Sequence, residues 1–438
     1  MFLFLVLAAQ EAPDRAREHI ARVRGLEFRR EVPIGVHGKE ELRRFLAAEF
    51  ERQFPRSKAA RYQRAWAHFG LIPGDLDLYD SLLMLFGESV AGFYHPQTRE
   101  VRLIRPEESV ELPEGADFAV DMNDVTLVHE LTHAAQDQQF DLRTLPIEEE
   151  TDDDLAAASR ALIEGDAFAC GWNFVYRSTF DRMVRLIADR YKKGRLPGRA
   201  GSLPEFLRRT AVFPESYGCD FVLDARQAAG GDWKAVSRLY EDLPASTEQI
   251  LHPEKYWKNR DGPTVVTLPD LWSAWSPAMI NVHGEFTIRI LVGETAAAGW
   301  DGDRYHVFER AGIVSSVWFS RWDGEEDARE FQRAWAARSR LRHPDARERV
   351  SSPDRLLLAK DSDRVVLVER RGVDVVAIDG EAGLLPLTEK IWKETKTHER
   401  GKVERFRIGR WTCPGHPFVE RTVDTTCPEC GARLREKK

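Results

Sequence analysis

The segment VTLVHELTHAAQDQQF, residues 125–140, limits what this chain can fold into more than any other stretch. On a helix His129 and His133 project from one face, and both imidazoles can reach a single zinc at about 2.0–2.1 Å. Glu130 lies roughly 100° around that helix from His129, so it flanks the metal rather than binding it. From there it can take a proton from water activated by the metal and carry it to a leaving amine. This is the logic of the HExxH motif. Val125, Val128, Leu131 and Ala135 form the apolar stripe of the helix, and Asp121, Asn123 or Asp124 can cap its start. The alternative is an amphipathic helix whose histidines are solvated or bonded to backbone. A metal site needs a third ligand, so another element must fold back against this one.

Glu164, in ALIEGDAF, fits that requirement best. Ala161, Leu162, Ile163, Ala167 and Phe168 surround it, and an unpaired carboxylate in such a setting is costly unless a cation offsets it. Gly165 beside it permits close helix approach, while pairing with Arg160 one turn earlier is the competing reading. Ligation by His129, His133 and Glu164 leaves a fourth position open for water, the mark of a catalytic site. An oxyanion donor is also required. His252 and Tyr256 in STEQILHPEKY are the first candidates, and Tyr94 and His95 the second. The run AGFYHPQTREVRLI, residues 91–104, reads as two strands with a turn at His95 to Thr98, and a peptide could add to it as a further strand.

The tail carries a second metal pattern. Cys413, His416, Cys427 and Cys430 are spaced C-x2-H-x10-C-x2-C, four soft ligands suited to a closed tetrahedral zinc, with Gly431 permitting the knuckle turn. The remaining cysteines, Cys170 and Cys219, could pair in an exported protein, although buried thiols are the simpler reading.

HELTH followed by a Glu on a second helix resembles zinc metallopeptidases of the gluzincin, or thermolysin-like, type. GFYHPQTREV, VHELTHAAQDQQFDL, ALIEGDA, STEQILHPEKY and GWDGDRY together resemble a family of bacterial exported metallopeptidases with uncharacterised substrates, over about residues 20–340. The resemblance implies a peptidase-like catalytic domain with the ligands named above. The chain departs from the thermolysin pattern in having Phe168, not an Asp, four residues after Glu164. Asp137 and Asp166 are then the nearest candidates for holding a ligand N–H. CPGHP and CPECGARL resemble a short heavy-metal-binding domain. Gly415 and Ala432 replace its usual methionines, which favours structural zinc over copper.

The bulk properties are compatible with this reading. A 438-residue chain with net charge −8 and no basic stripe argues against nucleic-acid binding, and its length implies more than one domain. The opening FLFLVLAA is too short to span a bilayer and resembles the core of a secretory signal, so export to the cell envelope is the expectation and a cytoplasmic location the alternative. Acidic residues 148–154 could bind calcium, but ahead of a helix they serve more simply as caps.

The expected fold class is α+β. A signal-like leader at 1–9 precedes an N-terminal helical supporting region at 10–74. A mainly helical zincin-like catalytic domain with a short hairpin follows at 75–280, then a small α+β domain at 281–400 and a zinc ribbon at 405–438. The expected function is a zinc-dependent peptidase acting on a peptide or protein substrate, with one catalytic and one structural zinc. A metal-binding or sensing protein worked by the ribbon, or a non-catalytic binding protein of peptidase descent, are the rivals.

Overall fold

Short apolar runs at PIGVH, GFYH and EVRLI pair into a three-stranded sheet, in which Ile34–His37 runs parallel to Glu100–Ile104 and Gly92–His95 pairs antiparallel on its other side. The expected hairpin is therefore present, and Gly92–His95 is an edge of its sheet. These relations come from a computed structural model describing residues 12–89, 91–104, 122–177, 179–271, 277–310, 312–360, 363–416, 419–428 and 430–437. The signal-like leader and Asp121 lie outside the described residues. The helix Met122–Phe140 begins early enough that Asn123 and Asp124 sit in its first turn rather than capping it.

The chain is of mixed α+β class and divides into two units, each assembled from separated segments. The first comprises Met1–Arg56, Tyr79–Leu145 and Ala158–Leu243; the second comprises Ser57–Leu78, Pro146–Ala157 and Pro244–Lys438. The contiguous domains read from the sequence cut across this division. Residues 10–74, for example, contribute to both units.

The first unit is mostly helical. Met122–Phe140 buries Val125, Val128, Leu131 and Ala135, as its spacing implies. A Cβ placed on Gly171 would stand 3.2 Å from Val125 O, so the absence of a side chain lets the helix Asp153–Val175 approach Met122–Phe140 closely. At Gly165 the same helix meets Glu205–Ala228: a Cβ there would be 2.1 Å from Gly218 C, and one on Gly218 would be 1.9 Å from Ala161 O. Bare backbone touches bare backbone at this crossing. Cys170 and Cys219 are buried free thiols rather than a disulfide.

The second unit centres on a seven-stranded antiparallel sheet in the order Pro277–Asn281, Trp300–Arg310, Ile313–Trp322, Asp374–Glu381, Arg364–Arg371, Arg355–Ala359 and Arg347–Ser352. Phe308, Val317, Phe319, Leu367, Val376 and Ile378 join Leu384 and Ile391 in one apolar cluster. Trp318 packs with Phe331 and Trp335 of the helix Glu325–Arg342. Asp303, fully enclosed, accepts from the indoles of Trp300 and Trp318 and from the backbone N–H of His283 and Gly284, each at 3.0 Å. Among the described residues, no helix is long and apolar enough to cross a membrane.

Most of the acidic run that leads into Asp153–Val175 is engaged. Asp152 accepts from Leu155 N at 3.0 Å as a helix cap and pairs with Arg400. Glu150 pairs with Lys58 and Arg421, each at 2.5 Å, and Thr247 donates to Asp154. These carboxylates serve as a cap, as ion-pair partners and, at Asp154, as a hydrogen-bond acceptor.

Candidate metal centres

His129, Glu130 and His133 reach their places because the apolar stripe of Met122–Phe140 is buried, which leaves the His129/His133 face turned toward Asp153–Val175. The His129 and His133 Nε2 atoms are 3.0 Å apart, and Glu164 Oε2 lies 3.3 Å from the first and 3.2 Å from the second. Three donors bound to one tetrahedral ion at about 2.0–2.1 Å would be separated by about 3.3 Å. The triangle therefore has the size a small divalent cation requires. Glu164 keeps 35% of its side-chain surface exposed, so it is less enclosed than its apolar neighbours in sequence suggest, and the outer side of the triangle is open. Burial opposes charge on the histidines, but Glu164 outweighs it, raising His129 and bringing His133 up to about 9. Burial likewise works against the charge on Glu164, and the two rings overcome it, holding the carboxyl well below the usual range.

Glu130 is buried and lies outside the donor triangle. Its Oε2 accepts a 2.8 Å hydrogen bond from Tyr94 N, so the hairpin backbone fixes its orientation. The Tyr94 hydroxyl donates to Asp137 Oδ2 at 2.8 Å, and Asp137 Oδ1 accepts from Leu142 N at 3.1 Å. Asp137 thus holds Tyr94 rather than a histidine. The His95 ring accepts from Thr98 N at 3.1 Å.

The contact on the His133 ring comes from Gln136, which carries no signal in the sequence. Gln136 Oε1 is 2.9 Å from His133 Nδ1, and Gln136 Nε2 donates to Ile163 O at 3.1 Å and to Asp166 Oδ2 at 3.0 Å. Asp166 also receives the fully buried Arg24 guanidinium at 2.6 and 3.0 Å and Tyr240 Oη at 2.9 Å. Asp166 therefore acts one hydrogen bond removed from the ring. A buried ion pair fixes Gln136, and Gln136 fixes His133.

Glu215, on Glu205–Ala228, was also passed over. Burial and the nearby Glu164 and Glu130 raise its carboxyl to about 7, with His129 and His133 working the other way. His252 and Tyr256 belong to the second unit, whereas the triad is built from the first. There His252 Nε2 lies 3.0 Å from Glu285 Oε1 and 2.9 Å from Arg289 Nη2, and Tyr256 is buried beneath the Arg260 guanidinium. Neighbouring Glu248, Asp261 and Asp323 surround the Lys255 ammonium at 2.6–3.0 Å, so that acidic cluster already has its cation.

In the tail, Cys413, His416, Cys427 and Cys430 offer four ligand atoms within 4.8 Å of one another, a cluster compatible with a metal ion such as zinc. Cys413 Sγ is 3.6 Å from both His416 Nδ1 and Cys430 Sγ, and Cys427 Sγ is 3.6 Å from His416 Nδ1. A tetrahedral ion with Zn–S bonds of about 2.3 Å implies edges of about 3.5–3.8 Å. Burial raises the Cys413 thiol, yet hydrogen bonds with His416, Cys427 and Cys430 prevail and bring it down to about 7. Gly431, at φ 68°, donates to Cys427 O at 2.7 Å and closes the knuckle. Thr425 and Thr426 donate to Glu149, which ties the ribbon to residues 146–157 of the same unit.

A model of a domain of unknown function, DUF8575, matches residues 271–383. That stretch holds all seven strands of the large sheet and the helix Glu325–Arg342, and none of the triad. No curated protein and no solved structure matches the chain.

Proposed function

We propose that the chain is a zinc-dependent peptidase whose catalytic zinc is held by His129, His133 and Glu164. The observation that carries this reading is the 3.0–3.3 Å donor triangle with a fixed, non-ligating Glu130 beside it. When bound, zinc would supply Lewis acidity to a peptide carbonyl and make a neighbouring water acidic. Glu130, oriented by Tyr94 N, would take a proton from that water as its oxygen adds to the carbonyl carbon and pass it to the nitrogen as the C–N bond breaks. Gln136 keeps the His133 ring in one orientation and one tautomer. The edge strand Gly92–His95 offers backbone groups to an extended peptide. Two histidines of one helix and a glutamate of the next make this a proposal of the gluzincin kind, and the sequence resemblance supports it.

The second zinc belongs to Cys413, His416, Cys427 and Cys430. Its four positions are filled by protein and its ribbon is tied to Glu149, so its role in this reading is structural rather than sensory.

Elemental analysis of the full chain is expected to give two zinc ions, one of them lost in Glu164→Ala. A Glu130→Gln protein should keep both and lose cleavage of a peptide mixture followed by mass spectrometry. Cleavage by Glu130→Gln at the parental rate would refute the assignment.

A further inference from the structure

The cations of residues 177–209 form no long run in the sequence, yet the fold gathers them. That stretch holds ten Lys and Arg against three Asp and Glu, in a chain whose net charge is −8. Some of the ten are spent within the fold. Arg185 pairs with Asp220 and Asp224 at 3.3 and 2.6 Å, Lys192 pairs with Asp189 at 2.8 Å and with Asp220, and Arg199 pairs with Glu88 at 2.8 Å. Arg182, Arg190, Lys193 and Arg195 differ: all four are exposed, and among the described residues no hydrogen bond or ion pair reaches them. Arg182 and Arg190 lie on the outer face of the helix Phe180–Lys192, which buries Phe180, Val184, Ile187 and Ala188 on its inner side. Lys193, in helical conformation at its end, follows Arg182 by about three turns and falls on the same face. Leu186 stands between Arg182 and Arg190, one turn from each, and leaves 47% of its surface in solvent. The two acidic residues of this helix, Asp181 and Asp189, are paired with Arg226 and Lys192, so neither offsets the unpaired cations.

A helix face turned only to water keeps its apolar residues on the other side. Here a leucine is bare in the middle of unpaired cations. That order matches the boundary of an anionic bilayer, where guanidinium and ammonium groups meet lipid phosphates and a neighbouring leucine enters the acyl edge. Nucleic acid or an acidic peptide would engage the cations and leave Leu186 in water. Charges more than about 10 Å away are largely screened at physiological salt, so the acidic residues elsewhere in the chain do not cancel this face at contact. We propose that the outer face of Phe180–Lys192, continued by Lys193 and Arg195, docks in plane on an anionic lipid surface with Leu186 entering below the phosphates. This inference is independent of the peptidase reading.

The test is sedimentation of the full chain with vesicles of phosphatidylcholine alone, or of about three phosphatidylcholines to one phosphatidylglycerol, at about 0.1 M salt. A chain of net charge −8 is repelled by the second kind unless a local face binds it, so the anionic vesicles should be preferred by about tenfold or more. Each Lys or Arg at such a surface strengthens binding about fivefold. The triple variant Arg182→Gln, Arg190→Gln, Lys193→Gln should therefore bind on the order of a hundredfold more weakly, with its unfolding midpoint unchanged because no ion pair is lost. Leu186→Ala leaves the charge intact and should weaken binding by about fivefold to tenfold. No preference for the anionic vesicles, or a preference that the triple variant keeps, would overturn the role of this face. Binding that Leu186→Ala leaves unchanged would make the face a polyanion surface, for which duplex DNA and polyglutamate should then compete as well as the vesicles, and would overturn the lipid assignment.

Discussion

Replacing Gly218 by Ala tests how the site is held together. The added Cβ would stand 1.9 Å from Ala161 O and 2.6 Å from Ala161 C. A carbon–oxygen contact needs about 3.3 Å, so Asp153–Val175 and Glu205–Ala228 must separate by about 1.4 Å at a point where only backbone can move. Overpacking of this kind costs about 3 kcal/mol, against a gain of about 1 kcal/mol for Ala over Gly within a helix, leaving a net loss of about 2 kcal/mol. Glu164 rides on the displaced segment, three residues from Ala161, so its carboxylate should leave the donor triangle by a comparable distance. Zinc affinity at this site is then expected to fall at least tenfold. Denaturant unfolding would read the first effect and chelator competition the second. Gly87→Ala provides the contrast: it lies in the helix Leu78–Ser89 with nothing within 4 Å of a built Cβ, and should stabilise by about 1 kcal/mol. A Gly218→Ala protein that unfolds at or above the parental midpoint with unchanged zinc affinity would refute the argument.

Gln136→Leu removes the contact on His133 while Arg24 and Tyr240 still hold Asp166; zinc affinity should drop about 10- to 100-fold with little change in fold stability, and unchanged affinity in chelator competition would count against the relay. His283, stacked on Tyr305 and edged by Phe69 and Trp318, has its ring pushed by burial down to about 3. Its depressed folded value means that it costs nothing above the unfolded value of about 6.5 and destabilises as pH falls below that, until the folded value is passed. Between pH 7 and pH 5 the loss is on the order of 2 kcal/mol. In His283→Phe that part of the pH dependence should disappear, and equal pH slopes in the two proteins would show that the ring is not held neutral.

The helices that carry the donor triangle were readable because their signal is local. Four residues place His129 beside His133, and an isolated Glu in an apolar run marks Glu164. What fixes these residues was not readable. Gln136 looks like any polar residue of AAQDQQF, and its value comes from Ile163 and Asp166, more than 25 residues away. Glu215 carries no spacing cue, since the charges that act on it sit on Met122–Phe140 and Asp153–Val175, two other helices. The inner strands of the large sheet show in their apolar runs, but Arg347–Ser352 is exposed throughout, so its RERVSS lacks an apolar face to read. The two units escaped because segments as short as Pro146–Ala157 belong with partners more than 90 residues further along the chain.

The makeup of the second unit bears on how this protein can have been assembled over its history. The matched stretch, residues 271–383, contains every strand of the large sheet, yet Phe69, from a segment 200 residues earlier, packs on Tyr305 and Trp318 of that sheet. A recombination event that transferred the sheet alone would strip one aromatic neighbour from each of those rings and leave Tyr305 with His283, and Trp318 with His283, Phe331 and Trp335. The exposed patch left behind would be about one phenylalanine side chain wide, small enough for an apolar residue of a new neighbouring segment to cover.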